Sequence, residues 1–485
     1  MHLPVSLAVL LGLVTLLAPA RPLPAADKPT KGVEGFWEGT LKVGAIELRL
    51  IFTLERKPDG TLAGTLDSPD QGAKDIPIEE VTFQNGAVVV NVKKVGGVYE
   101  GKLSKDGQQI EGQWKQAGMT FPLVLKRIDK LPETRRPQEP KKPYPYAVEE
   151  VTFENKEAGV KLAGTLTLPR GKGPFPAVLL ISGSGPQDRD EAIFGHRPFL
   201  VLADHLTRRG IAVLRVDDRG VGGSTGDFAK ATSADFAGDV LAGVAYLKTR
   251  QEINPRQIGL IGHSEGGLIA PMVAVKSKDV AFIVLLAGPG LPGDEVLALQ
   301  GQAILKAMGA SEKDLALQQR LQRRFFMIVR EEKDDEAARK KIQAAIEEEL
   351  AKLDDDQRKA AEKMKGNLEG QVKLVTSPWF RYFLTYDPRP ALRRVRVPVL
   401  AVVGEKDLQV LAKENLSEIA KALKEGGNTD YTLKEFPGLN HLFQTCKTGA
   451  PTEYGKIEET FAPEALDYIA DWIVKRTIGE TKPSP

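Results

Sequence analysis

The spacing of apolar residues changes along the chain, and the changes mark its parts. Through 31–128 they alternate with polar ones, as in Ala45-Ile46-Glu47-Leu48-Arg49-Leu50-Ile51-Phe52, the period of a half-buried strand. Pro58-Asp59-Gly60, Gln84-Asn85-Gly86 and Lys105-Asp106-Gly107 supply turns between such runs. An apolar-x-Gly-x-apolar pattern recurs at 37–41, 62–66, 99–103 and 110–114, and glycine inside strands suggests a strongly curved sheet. Residues 27–130 are therefore expected to form a small antiparallel barrel or sandwich, with Trp37 and Trp114 in its core rather than lining a ligand cup. The proline-rich, charged stretch 131–147 reads as an extended, semi-rigid linker.

From 148 to 485 the pattern is different. Strands are expected at 149–154 and 160–168, as an edge hairpin, and then at 176–181, 212–216, 257–261, 282–286, 397–404 and 431–436. Several are continuously apolar, as in Pro176-Ala177-Val178-Leu179-Leu180-Ile181, which suits burial on both faces. Helical segments near 198–209, 234–249, 410–425 and 463–476 lie between or after them. This alternation predicts an α/β fold with a mostly parallel, doubly wound sheet. Between two of its strands, 291–384 is helical and heavily charged, broken by Phe325-Phe326-Met327-Ile328 and Trp379-Phe380-Arg381-Tyr382-Phe383. It is expected to be an inserted cap, about 291–388, supplying an apolar wall that excludes water.

The first 26 residues read as an export signal, with an apolar run over 7–17 and candidate cleavage sites at Ala18-Pro19-Ala20 and Pro24-Ala25-Ala26. The start, Met1-His2-Leu3-Pro4, has no Lys or Arg; a signal anchor is the alternative, but the run is short for a spanning helix. A secreted or periplasmic protein without a stable membrane anchor is expected.

Composition removes several classes of function. The chain has 485 residues, 42% hydrophobic, enough for more than one domain with a real core. Its net charge of +2 argues against nucleic acid as a partner. One cysteine, Cys446, leaves no internal disulfide framework, and five histidines without an H-E-x-x-H or His-x-His pair argue against zinc. No metal is expected, and oligomeric state is not legible.

The candidate chemistry centres on Gly262-His263-Ser264-Glu265-Gly266, which follows the short apolar strand Ile258-Gly259-Leu260-Ile261 and opens a helix. A serine on a sharp strand-to-helix turn needs glycines two residues to either side, because a Cβ there would clash. Its hydroxyl needs a base, and the base an orienting carboxylate. His441, in the loop after the last strand, is the expected base. His196 and His205 precede the serine, and His263 adjoins it. Gly404-Glu405-Lys406-Asp407 offers two acids after the preceding strand, with Asp407 favoured and Glu405 the alternative. The order Ser264, Asp407, His441 is that of the α/β-hydrolase fold. Oxyanion donors are expected from the N–H groups of Glu265 and Ser184, the latter in the loop 182–190, with Gly185 second and close to substrate. Phe325, Trp379 and Phe380 are candidate substrate-binding residues on the cap.

Four stretches carry a resemblance. Ser182 to Glu191 (S-G-S-G-P-Q-D-R-D-E), Asp217 to Phe228 (D-D-R-G-V-G-G-S-T-G-D-F), Gly262 to Gly267 (G-H-S-E-G-G) and 404–407 are similar to the EstD-like bacterial carboxylesterases. The similarity spans roughly 148–475, and the N-terminal β region resembles their accessory domain. The resemblance implies a serine carboxylesterase that takes a small-molecule ester, prefers short acyl chains and uses no cofactor. Asp218 and Arg219 are then expected to hold their loop by ion pairing. An acyltransferase or peptidase of the same fold, or a ligand-binding protein with a degenerate hydrolase domain, are the alternatives. A peptidase of this kind carries a propeller, for which about one hundred β residues are too few.

Overall fold

The computed structural model describes residues 32–43, 46–71, 73–116, 118–132, 135–352 and 372–478. The expected export signal, 1–26, lies outside the described residues, as does the charged stretch 353–371 of the expected cap.

The N-terminal region is a closed barrel of eight antiparallel strands: β1 (Gly35–Val43), β2 (Ile46–Arg56), β3 (Leu62–Ser68), β4 (Ala73–Gln84), β5 (Ala87–Val92), β6 (Gly97–Leu103), β7 (Gln109–Gln116) and β8 (Met119–Ile128). Each strand pairs with the next, and β8 returns to β1 through Phe36 opposite Ile128, which removes both sheet edges. The inward side chains fill the interior. Trp37, Phe52, Tyr99 and Trp114 are all buried there, as expected of core aromatics. Gly101 and Gly112 face each other across β6 and β7, and a Cβ on Gly112 would sit 2.3 Å from the Glu100 carbonyl and 2.8 Å from the Tyr99 hydroxyl. The glycines give the Tyr99 ring its place, and its hydroxyl donates to the carbonyl of Ile110 at 2.8 Å.

The second region is one eight-stranded sheet. Its strands are β9 (Ala147–Asn155), β10 (Val160–Leu168), β11 (Phe175–Ile181), β12 (Ala212–Val216), β13 (Ile253–His263), β14 (Val280–Leu286), β15 (Val399–Gly404) and β16 (Tyr431–Phe436), in the order β16-β15-β14-β13-β11-β12-β10-β9. The β9–β10 hairpin is antiparallel at the edge; from β12 to β16 neighbours are parallel. Helices cover both faces: α1 (Pro198–Arg208), α2 (Ser233–Thr249) and α3 (Glu265–Ala274) follow strands as expected.

Between β14 and β15, which pair directly, the chain leaves through α4 (Gly293–Ala307), α5 (Glu312–Glu331) and α6 (Asp335–Leu350) and returns through α7 (Pro378–Thr385) and α8 (Arg389–Leu392). This is the predicted helical insertion. Its charged faces are laced by pairs such as Arg324–Glu348 (2.6 Å) and Lys341–Glu332 (2.7 Å). The sheet ends with α9 (Ala412–Glu425), α10 (Pro451–Tyr454) and α11 (Pro463–Thr477).

The linker is pinned rather than merely extended. Arg136 donates to the carbonyls of Gly195 (3.1 Å), Ile457 (3.0 Å), Phe194 (3.1 Å) and Gly455 (3.2 Å). The barrel touches the same turn, since Lys456 donates to the Glu47 carbonyl at 3.0 Å.

Candidate active site

β13 delivers Ser264 to the C-terminal edge of the sheet, and α3 leaves at once. Ser264 has φ 52° and ψ −116°, a left-handed backbone that a non-glycine residue adopts only at a cost of order 1–3 kcal/mol. The flanking glycines make the turn possible. A Cβ on Gly262 would lie 2.0 Å from the Gly266 carbonyl, and one on Gly266 would lie 2.1 Å from the Ile181 carbonyl. The Ser264 amide is held by the Leu286 carbonyl at 2.8 Å, and its side chain is half-buried.

Two loops beyond the next strands meet beside it. Asp407 follows β15 and His441 follows β16; both are buried. His441 Nδ1 lies 2.8 Å from Asp407 Oδ2, while Asp407 Oδ1 accepts the N–H groups of Gln409 and Val410, each at 2.8 Å. A proton on Nδ1 donated to Asp407 leaves Nε2 as the free acceptor of a neutral ring. Glu405, the other candidate acid, is exposed and its carboxylate accepts the Gly438 N–H at 2.8 Å.

Ser264 and His441 share a cavity of about 110 Å³. Ser184 lines it as well; Gly185, at φ 96°, does not. On the cap side the wall is Val296 and Leu297 of α4 with Trp379 and Phe383 of α7, whose rings stack at 5.5 Å. Gln187, Gln409 and Tyr454 line the cavity as well. Phe325 and Phe380 do not reach this wall: both are buried in the packing between the cap helices, with Phe380 against Phe326 at 6.2 Å.

Glu265 carries more than its backbone N–H. Its side chain is buried, accepting the Ser233 hydroxyl at 2.6 Å and the Trp379 indole N–H at 2.9 Å from both oxygens. Burial outweighs these donors and raises its carboxyl above the usual range. The signal for this role was an acid opening an otherwise apolar helix.

The expected loop-holding ion pairs form for Arg219 but not for Asp218. Arg219 pairs with Asp239 of α2 (2.7 and 2.8 Å). Asp218 has no cation among its hydrogen-bond partners; it accepts the Ser182 hydroxyl at 2.8 Å and the Gln187 N–H at 3.0 Å, and burial pushes its carboxyl well up. Its neighbour Asp217 takes the arginine instead, Arg189 at 2.7 Å.

The remaining histidines are elsewhere or otherwise engaged. His196 is buried between Thr460 and Gln444, and burial pushes it down to about 4. His205 faces Asp467. His263 packs against His441, with ring centroids 4.8 Å apart, and bonds to Glu191, a residue for which the sequence offered no role. Among the described residues no group of three His, Cys, Asp or Glu side chains could hold a metal ion, and no helix is long and apolar enough to cross a membrane.

Comparison with known proteins agrees with this architecture. Residues 178–447 match the alpha/beta hydrolase family. Esterase EstD from Thermotoga maritima is 28% identical over 372 residues, 76% of this chain and 75% of that protein. Dipeptidyl aminopeptidase BIII from Pseudoxanthomonas mexicana is 29% identical over 235 residues, 42% of this chain but only 33% of the peptidase. Among solved structures, an esterase from Pyrococcus furiosus aligns with 69% of this chain and 92% of its own, at 18% identity and a TM-score of 0.42. The chain is thus an esterase-like enzyme belonging to the alpha/beta hydrolase family, with an eight-stranded barrel ahead of its hydrolase region.

Proposed function

We propose that this enzyme hydrolyses carboxylic esters through an acyl-enzyme on Ser264, with His441 as base and Asp407 as its orienting acid. The observation that carries this reading is the 2.8 Å contact of His441 Nδ1 with Asp407 Oδ2 at a cavity that Ser264 also lines. His441 Nε2 takes the Ser264 proton as the oxygen attacks the acyl carbon. The N–H groups of Ser184 and Glu265 receive the oxyanion, each such donor being worth about 10²–10³ in rate. Collapse expels the alcohol, which takes the proton from His441. Water, deprotonated by the same ring, then releases the acid. Asp407 keeps the ring in the required tautomer and balances the imidazolium.

A small cavity with one apolar wall suits short to medium acyl chains. The polar lining residues Gln187, Gln409 and Tyr454 suit a polar alcohol portion. Nitrophenyl esters of increasing acyl length test this reading: turnover is expected for short and medium chains, falling once the chain outgrows the cavity. Absence of hydrolysis of any of these esters by folded protein would contradict it.

We further propose export, on the apolar run and small-residue sites within 1–26. N-terminal sequencing of protein expressed from the full gene tests it, and an intact Met1 on all of the protein would contradict it.

A further inference from the structure

Glu191 is buried and stands at φ 51°, in the same left-handed region as Ser264. Backbone strain of this kind persists only where the surroundings over-determine it. Its Oε1 accepts the Gly183 N–H at 2.6 Å and lies 2.9 Å from Nδ1 of His263. The other ring nitrogen, Nε2, lies 3.0 Å from the carbonyl oxygen of His441. A carbonyl has no proton to give, and Oε1 already accepts from an amide. Nε2 therefore donates; with Glu191 as a carboxylate Nδ1 donates too, and the pair is then an imidazolium held by a carboxylate. Burial alone would neutralise the ring, but Glu191, the His441 carbonyl and the Asp407 charge together outweigh it and raise His263 above its ordinary value.

We infer that Glu191 and His263 form a positioning dyad: the buried pair ties the carbonyl of His441 to the amide of Gly183, holding the base loop and the oxyanion loop in register around Ser264. The inference rests on the triad reading above. Three loops that are far apart in sequence meet at this one ring. Gly183 sits beside the serine itself, since a Cβ there would come within 3.3 Å of Ser264 Cβ. Around the dyad the other ionisable groups are Asp407 and His441, on the loops after β15 and β16, Asp218 after β12, and Glu265 at the start of α3. The ring of His263 lies 4.8 Å from that of His441, close enough for the charge balance of the dyad to act on the base.

Removing only one member unbalances the site. His263→Asn leaves a buried carboxylate facing His441, which favours the protonated base. The acid limb of kcat/KM should move upward by about half a pH unit or more. The loss of the bond to the His441 carbonyl should lower kcat by about 10–100-fold, with KM changing much less. The double variant Glu191→Gln/His263→Asn carries no buried charge. It should return the acid limb to the wild-type position while kcat stays reduced, because Asn is too short to reach that carbonyl.

The test is the pH profile of nitrophenyl acetate hydrolysis for wild type, Glu191→Gln, His263→Asn and the double variant, with folding checked by near-UV circular dichroism. Because an uncompensated carboxylate in His263→Asn can cost the fold, the double variant carries the decision. A folded double variant with wild-type kcat overturns the proposal, as does a folded His263→Asn with unchanged kcat and acid limb. Ser264→Ala, run alongside, separates the two readings: activity surviving there would refute the triad rather than the dyad.

Discussion

The indole N–H of Trp379 points at Glu265, 2.9 Å from each carboxylate oxygen, and so joins the cap to the residue that follows Ser264. One wall residue of the cavity is therefore fixed by the helix that carries the elbow. Insertion and sheet are locked together where acyl chains are proposed to lie.

This bond has a pH signature. Burial raises the Glu265 carboxyl, so the folded protein holds a proton that the unfolded chain has released. Stability from this group is full below the unfolded value, near 4.3, and is lost as pH rises through the higher folded value. Glu265→Gln cannot titrate. Its melting temperature relative to wild type should rise across that window, and thermal melts from pH 4 to 8 check it. A constant difference between the two proteins would contradict the raised carboxyl.

The cap aromatics should separate by place. Trp379→Ala and Phe383→Ala open the cavity wall and should alter the ratio of rates for longer and shorter esters; each buried methylene is worth about 0.8 kcal/mol. Phe325→Ala and Phe380→Ala remove packing between cap helices. They should cost about 3–5 kcal/mol of stability with that ratio nearly unchanged. Denaturant melts and the acyl-length series together decide it.

Asp407→Asn and Glu405→Gln both keep size and remove a charge. The first should lower kcat by about 10⁴-fold, since the ring loses its orienting carboxylate. The second removes only an exposed acceptor for the Gly438 amide and should change kcat little. A larger loss at Glu405 would reverse the roles.

Much of this arrangement was legible because it is local. The buried strands announced themselves as apolar runs, and the elbow glycines sit two residues to either side of Ser264. Asp407 and His441 follow the consecutive strands β15 and β16, so the loops that bring these two side chains together could be found by counting strands. What was not legible depends on loops meeting across the sequence. Glu191 lies 72 residues before His263, and no pattern links them. Arg219 finds its partner, Asp239, 20 residues on in a helix. The cap aromatics are an intermediate case. Trp379 and Phe383 are four apart and share a face of α7, whereas Phe380 falls on another. The helical period contains that division, but which face meets the cavity follows only from packing.

The central claim is that Ser264 is the nucleophile. A fluorophosphonate probe, followed by mass spectrometry of the labelled peptide, tests it most directly. The account predicts stoichiometric label on Ser264, none on folded Ser264→Ala, and a loss of ester turnover in that variant of about 10⁴–10⁶-fold. Label on a different residue, or near wild-type turnover by Ser264→Ala, would contradict it.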